Sequence, residues 1–114
     1  MVKGEREFFH ADDIPWQQSV QDGVAERVLS RDGQDPKVLT RLARWVPGLD
    51  TTPAGVITHD YVEEVYILDG SLHDLTLDRT FRAGDFACRP PGMPHGPYRT
   101  EDGCVMLETR YRPS

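Results

Sequence analysis

Two stretches of this sequence carry histidines and a carboxylate at spacings that could bind a metal ion. His59 precedes Glu63 by four positions, and His95 follows a proline-rich segment further along the chain. Two neutral imidazoles and one carboxylate on one side of a rigid site form the facial triad that leaves positions open on Fe(II). The same three ligands also suit zinc with an activated water, so the residues alone do not choose between these metals.

Each stretch combines a short strand with turn residues. Residues 62–68 are rich in β-branched and aromatic side chains and stop at Asp69-Gly70, which is typical of a strand that enters a turn. Residues 90–94 contain three prolines and a glycine, and such a segment cannot continue a central strand. It predicts a stiff bend that gives His95 a fixed direction.

Short strands and turn signals alternate along most of the chain. We expect an irregular lead-in over residues 1–23, followed by strands at 24–29, 37–46, 52–59, 63–68, 72–77, 80–82, 86–89, 95–99 and 105–111. No convincing apolar stripe with a helical period lies among them. The sequence therefore predicts an all-β sandwich or barrel, formed by a single domain over residues 1–114 with its barrel at 24–112.

The composition disfavours several kinds of partner and location. A formal net charge of -6 at pH 7 argues against nucleic acid, because non-specific binding to phosphates depends on clustered Lys and Arg. The chain has no signal-peptide pattern and no charge-poor apolar run of about 18 residues, so we expect a cytoplasmic protein with no membrane contact. Cys88 and Cys104 lack metal-finger spacing, and we expect two reduced, buried thiols.

The strand that begins at Glu63 has apolar side chains on both faces. Val65 and Ile67 share a face with Glu63, while Tyr66 and Leu68 lie on the other face. A short all-β chain has no helices to cover that second face. We therefore expect a second copy of the chain to cover it, in a homodimer.

The two stretches together resemble the motifs of the cupin superfamily. Glu63 with six residues to Gly70 resembles the second half of the first cupin motif, G-x5-H-x-H-x3,4-E-x6-G. The opening of the second motif, G-x5-P-x-G-x2-H, is matched by Gly84, Pro90, Gly92 and His95. The details are most similar to the cupin domains of zinc-binding anti-sigma factors and to acetylacetone-type dioxygenases. This resemblance implies a cupin double-stranded β-helix, a small jelly-roll-like barrel.

The resemblance also implies a ligand set for a divalent metal ion, with Fe(II) favoured and Zn(II) or Mn(II) as alternatives. His59 matches the second histidine of the first motif, Glu63 its glutamate, and His95 the histidine of the second motif. The first histidine of the family pattern falls on Ile57, which cannot bind a metal. Strand alternation favours Glu63 over Glu64, since Glu64 is sent to the opposite face.

The leading interpretation is a metal-dependent enzyme, a non-haem Fe(II) dioxygenase that acts on a small enolisable carbonyl compound. The alternatives are a zinc-binding ligand or stress sensor module, and a non-redox lyase or isomerase in which Tyr61 or Tyr98 moves a proton. Arg89 is expected to be a structural ion-pair partner, with contact to a substrate anion as its alternative. His10 and His73 have no ligand-spaced carboxylate, so we expect them outside the site.

Overall fold

The computed structural model describes residues 2–113, which form an all-β fold, as the sequence predicts. The strands are β1 (Gln17–Gln18), β2 (Val24–Arg31), β3 (Leu39–Trp45), β4 (Val62–Asp74), β5 (Arg79–Arg82), β6 (Phe86–Arg89), β7 (Tyr98–Arg99) and β8 (Cys104–Tyr111). Two short 3-10 helices cover Ala11–Asp13 and Thr52–Ala54. No helix in this part of the chain is long and apolar enough to cross a membrane.

Strand β4 is the centre of the topology, because both halves of the fold pair with it. The antiparallel order is β1-β2-β3-β8-β4-β5, and β6 and β7 also pair with β4. The first half of β4 lies between β8 and β6, while residues 71–74 pair with β5 and residues 73–74 with β7. One long strand therefore passes from one sheet into the other, which closes the small barrel.

The prediction of separate strands at 63–68 and 72–77 is wrong, because β4 continues through Asp69-Gly70 to Asp74. Instead of a hairpin turn, the register shifts between Ile67 and Asp69 where β4 pairs with β8. Gly70 has a φ of +79°, and a Cβ there would lie 2.1 Å from the carbonyl oxygen of Gly103. Glycine therefore allows a bulge that bends β4, where we had expected a turn that ends it.

The expected strand at 52–59 is also wrong. Its first residues form the second 3-10 helix, which has a proline at its start, and Gly55 follows with a φ of +65°. Proline lacks the N–H that a sheet ladder needs, and an L side chain rarely adopts that glycine conformation. Only Ile57 pairs as an isolated bridge, with His95, and the expected strand at 95–99 is reduced to β7.

The interior is assembled from inward-facing residues of β2, β3, β4, β7 and β8. Its apolar part consists of buried residues that pack in one cluster: Val24, Ala43, Trp45, Val65, Ile67, Leu72, Tyr98, Cys104 and Met106. The outward residues of β4 include Tyr66 and Leu68, which are exposed. The two faces predicted for this strand are therefore observed, with Val65 and Ile67 inside.

Two smaller expectations need correction. Cys104 is buried, but Cys88 is exposed, because it faces outward on β6 opposite Glu64 of β4. The lead-in contains β1 and the first 3-10 helix, which gives it more structure than we expected. Trp16 holds the lead-in against the sheet, since the guanidinium carbons of Arg27 and Arg44 each lie 4.4 Å from its ring centroid.

Candidate metal centre

The fold brings together the three residues at which the two sequence stretches were expected to converge. One ligand atom from each of His59, Glu63 and His95 can be chosen so that all three lie within 4.8 Å of one another. Glu63 is the second residue of β4, and the two histidines lie on the loops before β4 and after the proline bend. No strand contains either histidine, so contacts between the two loops must fix their positions.

Backbone hydrogen bonds join the two histidine loops directly. Ile57 and His95 exchange both of their N–H and C=O groups, at 2.9 and 3.0 Å. The Gly92 N–H donates to the His59 carbonyl oxygen at 2.9 Å. The proline bend is thus bound to the loop before β4 at two points. This pairing also explains the place of Ile57, whose backbone aligns His95 although its side chain cannot bind a metal.

Both imidazole rings are oriented by a carbonyl oxygen two residues away. His59 Nδ1 lies 3.1 Å from the Tyr61 oxygen, and His95 Nδ1 lies 3.0 Å from the Met93 oxygen. A carbonyl oxygen can only accept, so each neutral ring carries its proton on Nδ1 and has a free lone pair on Nε2. Such second contacts are typical of metal-binding histidines, because they fix the tautomer and the ring direction.

The clearest indication of a ligand is the Nε2 atom of His59. This atom is buried and has no hydrogen-bond partner among residues 2–113, and it lies 3.7 Å from Glu63 Oε2. Buried polar atoms in proteins are nearly always paired, so an orphaned lone pair beside a carboxylate needs a cation or a proton. The donor set of two imidazoles and one carboxylate fits a divalent transition metal.

Glu63 is held between two arginines as well as beside His59. Arg89 Nη1 donates to Glu63 Oε1 at 2.9 Å, and Arg110 Nε lies 3.6 Å from Oε2. Burial raises the pKa of Glu63, the nearby Glu108 carboxylate raises it further, and the two arginines oppose this rise. The pKa of His95 is lowered, mainly by burial. Burial therefore favours the neutral imidazole that metal binding requires.

A row of alternating charges continues from Glu63 across the sheet. Arg110 Nε donates to Glu108 at 2.5 Å, Glu108 pairs with Arg41 at 3.3 Å, and Arg41 pairs with Glu26 at 2.8 Å. Glu26, Arg41, Glu108 and Arg110 were not predicted from the sequence. A signal was present in β8, where Glu108 and Arg110 follow Met106 at a spacing of two and therefore share its inward face.

An apolar cavity of about 270 Å³ opens beside His95. Its wall is mainly hydrophobic, and the residues that line it include Val56, Leu72, Leu77, Phe81 and Met93. Arg89, His95 and Tyr98 supply polar groups to the same wall. A second pocket, which we call the polar pocket because most of its lining residues are polar or charged, lies on the other side of the site against His59, Tyr61, Arg41 and Arg110. The three candidate ligands thus lie between an apolar space and a polar one.

The two tyrosines predicted to be catalytic lie on different sides of the candidate centre. Tyr98 is buried and lines the apolar cavity, and its hydroxyl oxygen accepts a hydrogen bond from Arg89 Nη2 at 2.8 Å. Burial raises the pKa of Tyr98 to about 12. Tyr61 lines the polar pocket, and its ring centroid lies 4.2 Å from that of His59. Proton transfer by either tyrosine stays a prediction.

The remaining histidines lie away from the cluster. His10 Nδ1 accepts from the Asp12 N–H at 3.1 Å, at the start of the first 3-10 helix. His73 contacts the Thr80 hydroxyl at 2.9 Å and the Asp78 carboxylate at 3.1 Å. Neither belongs to the group of potential ligands found in the described part of the chain.

The fold and the converging histidines and glutamate define this protein as a cupin with a candidate metal centre. The sequence profile of the ChrR cupin-like domain family matches residues 4–112. The chain therefore belongs to the ChrR cupin-like family, as its motifs had suggested. No protein with a curated description matches it in sequence.

Three solved structures illustrate the similarity. An RmlC-like cupin from Shewanella frigidimarina has a TM-score of 0.73 and 18% identity, over 96% of this chain and 93% of the other. A protein from Nostoc punctiforme, provisionally named a dioxygenase, has a TM-score of 0.79 and 18% identity, over 90% and 35%. The anti-sigma factor ChrR, in complex with SigE of Rhodobacter sphaeroides, has a TM-score of 0.65 and 22% identity, over 90% and 52%. At identities of 18–22%, the similarity to these three structures shows a shared fold alone.

Proposed function

We propose that this protein is a metal-dependent cupin enzyme, a non-haem Fe(II) dioxygenase that acts on a small enolisable carbonyl compound. The observation that carries the proposal is the orphaned, buried Nε2 of His59, 3.7 Å from the Glu63 carboxylate. His95 completes the set and lines an apolar cavity large enough only for a small molecule. Fe(II), when bound by such a triad, supplies open positions for substrate and the electrons that activate dioxygen.

The residues around the centre would bind and orient the substrate. His59, Glu63 and His95 would hold the ion, while Arg89 fixes one oxygen of Glu63. The Tyr98 hydroxyl accepts from Arg89, so its own hydrogen is free to donate to a carbonyl oxygen in the cavity. With a pKa of about 12, Tyr98 stays protonated at neutral pH and acts as a donor.

Oxygen uptake tests this proposal. Metal-free protein is loaded with Fe(II) under nitrogen, mixed with aerated buffer, and followed with an oxygen electrode during addition of pentane-2,4-dione and related β-dicarbonyl compounds. We expect uptake with at least one compound, its loss in Glu63→Gln, and its retention in the matched control His73→Gln. Absence of uptake across the whole panel, or undiminished uptake by Glu63→Gln, would contradict the proposed activity.

A zinc-binding sensor module is the second candidate, and similarity to the ChrR cupin-like family favours it. The same three ligands suit zinc, and a small molecule in the apolar cavity would be the signal. Elemental analysis of protein purified without added metal separates the two proposals. Retained zinc, together with no oxygen uptake after exchange for Fe(II), would place the sensor first.

A non-redox lyase or isomerase is the third candidate, and the position of Tyr98 in the cavity wall supports it. In this case the bound ion would polarise a carbonyl group and the tyrosine hydroxyl would donate to it. Turnover of an enolisable substrate under nitrogen by the zinc-loaded protein, lost in Tyr98→Phe, would favour this function over the dioxygenase.

A further inference from the structure

The charged groups that are buried or partly buried around the candidate centre carry almost balanced charge. Three guanidinium groups and four carboxylates are shielded there, namely Arg41, Arg89, Arg110, Glu26, Glu63, Glu108 and Asp74. Asp74 belongs to this group because it is buried in the cavity wall and accepts from the N–H groups of Thr76 and Leu77 at 2.9 Å. Together the seven groups leave one net negative charge.

A divalent ion held by neutral histidines would reverse the sign of this balance. One net negative charge would become one net positive charge, in a region largely shielded from water. A buried charge without a partner is strongly unfavourable. The loaded centre is therefore complementary to a ligand with a single negative charge, whereas the metal-free centre has no excess positive charge to attract one.

Arg89 is the arginine in a position to meet such a ligand. Of the three guanidinium groups, only that of Arg89 lines the apolar cavity, since Arg41 and Arg110 line the polar pocket. Two of its five N–H donors bind Glu63 and the Tyr98 hydroxyl, at 2.9 and 2.8 Å. Three N–H donors of this guanidinium remain, and a pair of neighbouring N–H groups on an arginine matches the two oxygens of a carboxylate. Asp85 also lines the cavity, but its side chain is exposed and its charge is solvated.

We propose, on the basis of the metal site proposed above, that the ligand of the loaded protein is a small monocarboxylate with an apolar body. Arg89 binds the carboxylate at the inner wall of the cavity, next to His95, and the apolar body packs against Leu72, Phe81 and Met93. The cavity of about 270 Å³ is of a size that suits a small acid. An unbranched acid of six carbons is therefore used as the probe.

Isothermal titration calorimetry of the zinc-loaded protein tests this proposal without any turnover. The probes are hexanoate, the neutral hexanamide and the cationic hexylammonium, which each have an unbranched chain of six carbons. We expect hexanoate to bind about tenfold or more tighter than hexanamide, as a charge-assisted hydrogen bond implies, and hexylammonium to bind most weakly. In the metal-free protein the preference for hexanoate should disappear. Equal affinity for hexanoate and hexanamide in the zinc form would overturn the proposal.

Variants of Arg89 show whether this residue provides the preference. Arg89→Met should abolish the difference between hexanoate and hexanamide, Arg89→Lys should keep part of it, and the exposed Arg82→Met should keep all of it. Zinc content and thermal unfolding are measured on each variant, and if Arg89→Met fails to fold, the comparison between Arg89→Lys and Arg82→Met decides. A guanidinium–carboxylate contact would be contradicted if Arg89→Lys kept the whole preference for hexanoate over hexanamide and also bound hexylammonium as tightly as hexanoate.

These results are separable from those of the oxygen-uptake experiment. Selective binding of hexanoate without oxygen uptake by the Fe(II) form would reject the dioxygenase and retain the carboxylate site. Oxygen uptake with a β-dicarbonyl compound, without any preference for hexanoate over hexanamide, would retain the enzyme and reject the carboxylate ligand.

Discussion

The interior of this small barrel has an apolar end and a charged end, although the same strands form both. Along the inward face of β8, Cys104 and Met106 lie among hydrophobic side chains, and Glu108 and Arg110 lie among charges. On β4, which runs antiparallel, Glu63 marks the charged end and Val65 begins the apolar one. The candidate metal centre lies at the boundary, where an apolar body and a charged group can be bound together.

The difference between the two ends shows how the fold can stabilise itself and still bind an ion. Hydrophobic burial at the apolar end is non-directional and contributes stability without fixing any particular group. Ion pairs at the charged end fix directions, because each guanidinium and each carboxylate accepts partners only in certain geometries. Ion pairs orient Glu63, and hydrophobic side chains shield it from water.

Breaking the charged end should have the largest effect on stability. Arg41 is buried and pairs with both Glu26 and Glu108, so Arg41→Met leaves two shielded carboxylates with fewer partners. We expect the free energy of unfolding to fall by about 3–5 kcal/mol. Urea titration measures it, with Arg82→Met at an exposed arginine of β5 as the control. A loss for Arg41→Met no larger than that of the control would show that the charged row adds nothing to stability.

Removing a large side chain from the apolar end should lower the free energy of unfolding somewhat less, and the ion should stay bound. Leu72 is buried and also lines the cavity, so Leu72→Ala removes core contacts and enlarges the cavity. The expected loss is about 2–5 kcal/mol, near the lower end because the site already borders a void. Urea titration and metal analysis of the same preparation check this. Loss of the ion from a folded Leu72→Ala protein would mean that the two ends are not independent.

Sequence patterns predicted the apolar end much better than the charged end. The alternation of Val65, Ile67, Tyr66 and Leu68 assigned inward and outward faces correctly, and it placed Glu63 inside. The charged row was missed because a charged residue in an alternating strand usually faces water, although the spacing of Glu108 and Arg110 from Met106 indicated their inward face. Its pairs are also distant in sequence: Arg41 and Glu108 are 67 residues apart, and Arg89 and Glu63 are 26 apart.

At the candidate centre, the contacts between the two histidine loops could likewise not be predicted from the sequence. Motif spacing selected His59, Glu63 and His95 without any knowledge of the loops that position them. The backbone exchange between Ile57 and His95 could not be anticipated, because the resemblance to cupins marked Ile57 only as a missing ligand. The turn assigned to Asp69-Gly70 failed for a similar reason. The glycine was recognised as special, but its neighbour, the Gly103 carbonyl, belongs to a distant strand.

The smallest effect on stability is expected at the outward face of β4, where a second copy of the chain is proposed to dock. Tyr66, Leu68 and Phe86 are 43%, 45% and 60% exposed there. We expect a dimer of the 12.9 kDa chain in light scattering, and a monomer for Leu68→Glu, with a monomer stability changed by about 0.5 kcal/mol or less. Val20→Glu, at another exposed apolar residue, is the control. A monomeric wild-type protein at micromolar concentration would contradict the dimer.

Metal content is the most direct test of the claim that this boundary is a metal centre. The wild type and the variants His59→Ala, Glu63→Ala, His95→Ala and His73→Ala are purified identically, shown to be folded, equilibrated with Fe(II) or Zn(II) and analysed by mass spectrometry of the elements. We predict about one ion per chain in the wild type and in His73→Ala, and loss of most of it in the other three. Retention of the ion by Glu63→Ala together with its loss from His73→Ala would contradict the assignment.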